Sequence, residues 1–162
     1  MEFDVLRRVM PRGLYGRAAL ILFLPVVVVT IVVTVMFLQR HFEDVTRQMT
    51  DGMAREIALV ARRIDTAPDP QAARAAALHE AGPLELELVM PPDRPARDWR
   101  AFYDLSGRVV IRELHDRLPD VRGVDLGDEG RVRVTLGGRH GPYQLIFSRA
   151  RVSASNPHQL LV

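Results

Sequence analysis

The sequence predicts an α+β protein, in which a transmembrane helix near the N-terminus runs into a long helix and then into a small domain with an antiparallel sheet of about five strands. Residues 18–38 are 21 consecutive positions without a charge. Apolar residues then continue at helical spacing from 42 to 64, and beyond 83 they switch to alternation interrupted by turn residues. The expected divisions are a flank (1–17), a span (18–38), an exiting helix (39–65), a domain (66–155) and a closing segment (156–162).

The span rests on length and composition. An α-helix rises about 1.5 Å per residue, so the stretch AALILFLPVVVVTIVVTVMFL reaches roughly 31 Å against a hydrocarbon core about 30 Å thick. Fifteen of its residues are Leu, Ile, Phe or Val, worth of order −4 to −9 kcal/mol for insertion as an upper bound. Thr30 and Thr34 are its polar residues, and their hydroxyls can bond back to their own helix. Pro25 would break a water-exposed helix but is tolerated in a span. The apolar run exceeds a signal peptide's, and Gln39, Arg40, His41 and Phe42 offer a peptidase no small-residue site, so the segment is expected to stay as an uncleaved anchor. Arg7, Arg8, Arg12 and Arg17 precede the span while Arg40 and Arg47 follow it, which places the N-terminus in the cytoplasm and residues 39–162 outside.

Charge and cysteine content narrow the chemistry. The chain carries a formal charge of +2, and its 22 basic residues are all Arg. Four of these and two acids lie before the span, leaving a formally neutral exterior part with no nucleic-acid signature. Zero cysteines exclude disulfides, thiol nucleophiles and Cys-bound zinc.

In the exiting helix, Phe42, Val45, Met49, Met53, Ile57, Val60 and Ile64 are spaced 3, 4, 4, 4, 3 and 4, about 3.67 residues per turn. The stripe suits either docking on the chain's own domain or a parallel dimer seam that carries motion from the membrane. Gly52 and two Met residues favour an adaptable interface. Asp69 and Pro70 read as N-cap and first position of a short helix over 71–81 that Gly82-Pro83 ends. Leu84, Leu86 and Leu88 alternate with Glu85 and Glu87 as a half-buried strand, and PPDRPARD (91–98) is a loop. Trp99 to Leu105 and Arg108 to Leu114 flank Ser106-Gly107 and read as a β-hairpin; RVRVTL, GGRHGP and YQLIFSRARV read as another.

This arrangement resembles the extracytoplasmic sensor of a bacterial histidine kinase, with the D-x-x-G-x-V hairpin (Asp104, Gly107, Val109) of a PAS-like, single-Cache-type fold. PRGLYGRAALILFLPV followed by RHFEDVTRQM is similar to the start of EnvZ-type osmosensor kinases of alphaproteobacteria, over residues 10–64, with the sensor region alike in organisation. The resemblance implies an inner-membrane homodimer with a periplasmic sensor, joined in the same full-length chain to a second span, a HAMP linker and kinase domains. The closing NPHQLLV turns at Asn156-Pro157 and becomes apolar, as at the approach to a second span. The alternative is a single-span envelope scaffold or assembly protein that binds a partner.

No catalytic, cofactor or metal residues are expected in this chain. ELHDRLPD (113–120) places His115 and Asp116 as in a phosphoacceptor motif, but Leu118 stands where Arg is required and Pro119 is one place early; it is expected to be a surface turn after a strand. The histidines at 41, 79, 115, 140 and 158 show no metal spacing, and no Ser has a G-x-S-x-G setting. Gly137 to Gly141 could hold an anion on backbone amides or make the hairpin turn. Asp128-Glu129 reads as a solvated loop. Trp99, Phe102 and Tyr103 are candidates for lining a sensor pocket or for ordinary core packing, and a small-molecule ligand stays unspecified.

Overall fold

The computed structural model describes residues 14–153 apart from Glu129. The chain divides after His41 into two units. The flanking arginines at 7, 8 and 12 and the apolar closing segment 156–162 lie outside the described residues.

Helix α1, Leu14–Thr66, supplies all the described residues of the first unit. It contains Pro25 and is long and apolar enough to cross a membrane. The large apolar side chains from Leu20 to Leu38 are exposed, as a surface meant for lipid would be. Thr30 donates to the Val26 carbonyl and Thr34 to the Thr30 carbonyl, each at 2.8 Å, so both hydroxyls are satisfied within the helix.

The second unit begins at Phe42. Beyond α1 it holds α2 (Pro70–Ala81), β1 (Glu87–Val89), α3 (Leu105–Arg117), β2 (Val121–Asp125), β3 (Arg131–Gly138), β4 (Gly141–Ser148) and a closing 3-10 turn at Arg149–Arg151. The strands form one antiparallel sheet in the order β1-β4-β3-β2. Val132, Val134 and Leu136 of β3 and Tyr143, Leu145 and Phe147 of β4 alternate onto one face and are fully or nearly fully buried. They share a core with Met53, Ile57, Val60 and Ile64 of α1, with Ala73 and Ala77 of α2, and with Val110 and Leu114 of α3. The Ala-rich face of α2 lets its backbone approach that core closely.

Segment 91–98 is tied to the other sheet face. Gln144 donates to the Arg94 carbonyl at 3.0 Å, and the Val124 amide donates to the Asp98 carboxylate at 2.9 Å. At Gly123 a side chain would run into the Arg97 backbone, so glycine is required there for close approach.

Three expectations need correction. The sheet has four strands among the described residues, not five. The stretch FYDLSGRVVIREL is no hairpin: Asp104 caps α3, its carboxylate accepting from the Gly107 amide at 2.8 Å. Gly107, Val110 and Leu114 then recur at spacings of 3 and 4 and enter the core, whereas the apparent alternation of Val109 and Ile111 is incidental. Gly107 serves contact and not a turn, since a Cβ there would meet the Asp104 carboxyl and come within 2.8 Å of Leu126. The D-x-x-G-x-V pattern is thus a helix start. His115 accordingly sits on α3, not in a turn after a strand.

The other elements fall close to expectation. Asp69 caps α2 through the Ala72 amide at 2.8 Å, with Pro70 first in the helix. The expected strand over 84–88 shortens to Glu87–Val89 because the chain turns sharply at Glu85, whose φ of 54° lies in the left-handed region. In the GGRHGP turn, Gly138 pairs with Gly141, and Gly141 takes a φ of 110° that favours glycine.

Candidate functional site

The α1 stripe divides in two. Met53, Ile57, Val60 and Ile64 are at most 2% exposed and belong to the domain's own core. A seam between copies needs its side chains at the surface, and these four are already covered by the chain's own sheet and helices. Phe42 is 56% exposed, while Val45 and Met49 are half-buried. Thr46 and Thr50 are buried beside them, Thr50 donating to the Thr46 carbonyl at 2.7 Å.

Polar ties fix the buried half of α1 to every neighbouring layer. Arg47 pairs with Glu113 at 3.7 Å and Asp51 with Arg117 at 3.3 Å, joining α1 to α3. The Arg117 guanidinium is held further into its charged state, first by its hydrogen bond to Glu113 and then by Asp51. Arg63 reaches Glu80 of α2 at 3.3 Å. At the C-terminal turn, Arg151 joins Glu56 of α1 at 2.6 Å and donates to the Leu84 carbonyl at 2.6 Å. Its neighbour Arg149 pairs with Asp104, which also accepts from Ser106, and Ser106 lies 3.2 Å from Ser153. The last described turn is therefore clamped to α1 by one arginine and to the start of α3 by another.

The aromatic trio does not enclose a pocket. Phe102 is 96% and Tyr103 84% exposed. Trp99 lies against Gly127, where a Cβ would come within 2.9 Å of its ring, and its backbone extends the edge of β2 through hydrogen bonds with Val124 and Leu126. With Leu105, also exposed, Phe102 and Tyr103 form an apolar rim at the start of α3.

A cavity of about 440 Å³ lies instead where α1 ends, lined by Asp65, Pro119, Asp120, Val121, Arg122, Gly137, Gly138 and Arg139. Asp65 accepts from the Arg139 amide at 2.9 Å, and the Asp120 carbonyl accepts from the Gly137 amide at 2.9 Å. The Arg122 guanidinium lies flat on Gly137, close enough that a Cβ there would stand 2.6 Å from Nε. The Tyr143 ring fills the equivalent space against Gly138. Burial first, then the charges of Asp65 and Asp120, push the Tyr143 phenol well above its usual value, so it is a neutral hydroxyl in the field of both carboxylates. Of these residues, the sequence singles out the Gly137 to Gly141 segment and, as the end of ELHDRLPD, Pro119 and Asp120. The acids and Arg122 come from separate elements and carry no local motif.

Among the described residues no group of three or more His, Cys, Asp or Glu could hold a metal ion. His115 lies 3.0 Å from Asp98, the residue that anchors segment 91–98 to β2. No family model, no curated protein and no solved structure matches the chain.

Proposed function

We propose that the chain is the membrane-anchored, extracytoplasmic input module of a two-component sensor histidine kinase, whose long helix passes a change in the exterior domain to the membrane. The observation that carries this reading is that one helix, α1, contains both the apolar stretch 18–38 and the four core residues Met53, Ile57, Val60 and Ile64. Any rearrangement of the sheet or of α3 must therefore move or hold that helix. The arginine bias around the span directs the domain outward, into the periplasm of a bacterial inner membrane. A homodimer would meet through the less buried end of the stripe, at Val45 and Met49 with Phe42, which is 56% exposed. The module supplies no catalytic chemistry; that belongs to kinase domains further along the same full-length chain. A shift between two helix arrangements worth about 1–3 kcal/mol would alter output roughly 5- to 150-fold.

The exposed rim of Phe102, Tyr103 and Leu105 favours a second reading, a single-span scaffold whose exterior domain docks a partner. The coding sequence beyond Val162 separates them. A second apolar span followed by HAMP and kinase domains is the expected result, and a stop codon directly after Val162 would leave the scaffold.

A further inference from the structure

The geometry points to the cavity at the end of α1 as a binding site for a small zwitterion, a molecule with a carboxylate at one end and an ammonium at the other. As the input of the module this deepens the reading of α1 given above; as a binding site it stands without it.

Two arginines and two aspartates line one open cleft of about 440 Å³, with Asp120, Arg122 and Arg139 exposed and Asp65 half-buried. Several arginines of the domain meet an acid within 4 Å, as Arg63 does with Glu80 and Arg151 with Glu56, and others, such as Arg74 and Arg112, meet none among the described residues. Here neither Arg122 nor Arg139 forms an ion pair among the described residues, and the Asp120 carboxylate accepts no hydrogen bond from them. Charges of both signs thus share a cleft without meeting as ion pairs. A purely anionic ligand would gain from the arginines and be repelled by the aspartates, and a cation the reverse. A molecule carrying both charges is complementary to all of them.

The fixed partners indicate the orientation. Arg122 is seated on Gly137, where the missing side chain leaves room for a planar guanidinium, and that fork suits a carboxylate. Asp120 is free to take an ammonium. Asp65 belongs to the last turn of α1 and holds the Arg139 amide, so a ligand here touches the helix itself.

The test is calorimetry on the full chain in lipid nanodiscs with ω-amino acids of increasing length, from glycine to 6-aminohexanoate, against butyrate and butylammonium. One ω-amino acid should bind at least about tenfold more tightly than either singly charged probe. Arg122→Gln and Asp120→Asn should each weaken it roughly ten- to hundredfold, the scale of a charge-assisted hydrogen bond. Gly137→Ala, which keeps every charge but displaces the guanidinium, should weaken it as well, with an unchanged melting temperature showing that the fold persists. Butyrate binding as tightly as the best zwitterion, equal affinities in all three variants, or no heat from any probe up to about 10 mM would each overturn the site. The kinase reading is untouched by that failure, since its own test lies in the sequence beyond Val162.

Discussion

Tyr143 is fully buried beside two carboxylates, and the consequence is a pH dependence of known sign. Below pH about 10 the phenol is protonated in the folded and the unfolded chain alike and contributes no slope. Above that value the unfolded chain ionises first while the folded one keeps its proton, so stability falls as pH rises towards the raised folded value. The chain has no Lys and no Cys, and Tyr15 and Tyr103 are 90% and 84% exposed, so Tyr143 dominates this limb. Urea midpoints by circular dichroism should drop between pH about 8 and 11 in the wild type and far less in Tyr143→Phe; equal drops would contradict the assignment. Asp104 makes a second case, since it caps α3 and pairs with the largely buried Arg149. Asp104→Ala should cost about 3 kcal/mol in chemical denaturation, combining a lost cap with a stranded charge. A cost under about 1 kcal/mol would show the pair to be ornamental. Both Asp69 and Asp104 are helix caps, yet only the first was legible. Asp69 precedes a Pro and an Ala run that leave no competing period, whereas Asp104 stands just before Ser106-Gly107, between an aromatic pair and a β-branched run that also spell a hairpin. The cavity was less legible still, because Asp65, Asp120, Arg122 and Arg139 are assembled from a helix end, a connection, a strand and a turn.

Between elements, the α1 stripe was readable as a period but not as a partner. A spacing of about 3.67 says that one face is apolar, and only the sheet and α2 show what covers it. Ile57→Ala should therefore destabilise the domain by about 2–5 kcal/mol, as expected for a residue with no exposed surface. Phe42→Ala should leave the domain's midpoint within about 0.5 kcal/mol of wild type. Similar small effects at both positions would mean that the stripe is not in the core. The hairpin of β3 and β4 was legible because alternation on both strands and the Gly-rich turn agree. Strand β2 was not, since Val121 to Asp125 contains one glycine, two charges and an irregular register with β3. Its place in the sheet comes from pairing with β3, a long-range term invisible in its own five residues.

For the whole molecule, the central claim is an anchored chain whose domain lies outside the cytoplasm, and the chain itself provides a clean means to test it. It contains no cysteine, so a single introduced thiol reports alone. Phe102 is 96% exposed on the domain and tolerates a thiol without disturbing the core, while Met10 lies on the N-terminal side of the span. In intact spheroplasts treated with a membrane-impermeant thiol reagent, Phe102→Cys should be labelled at once and Met10→Cys only after lysis. Labelling of Met10→Cys with protection of Phe102→Cys would contradict the orientation, and with it the sensor.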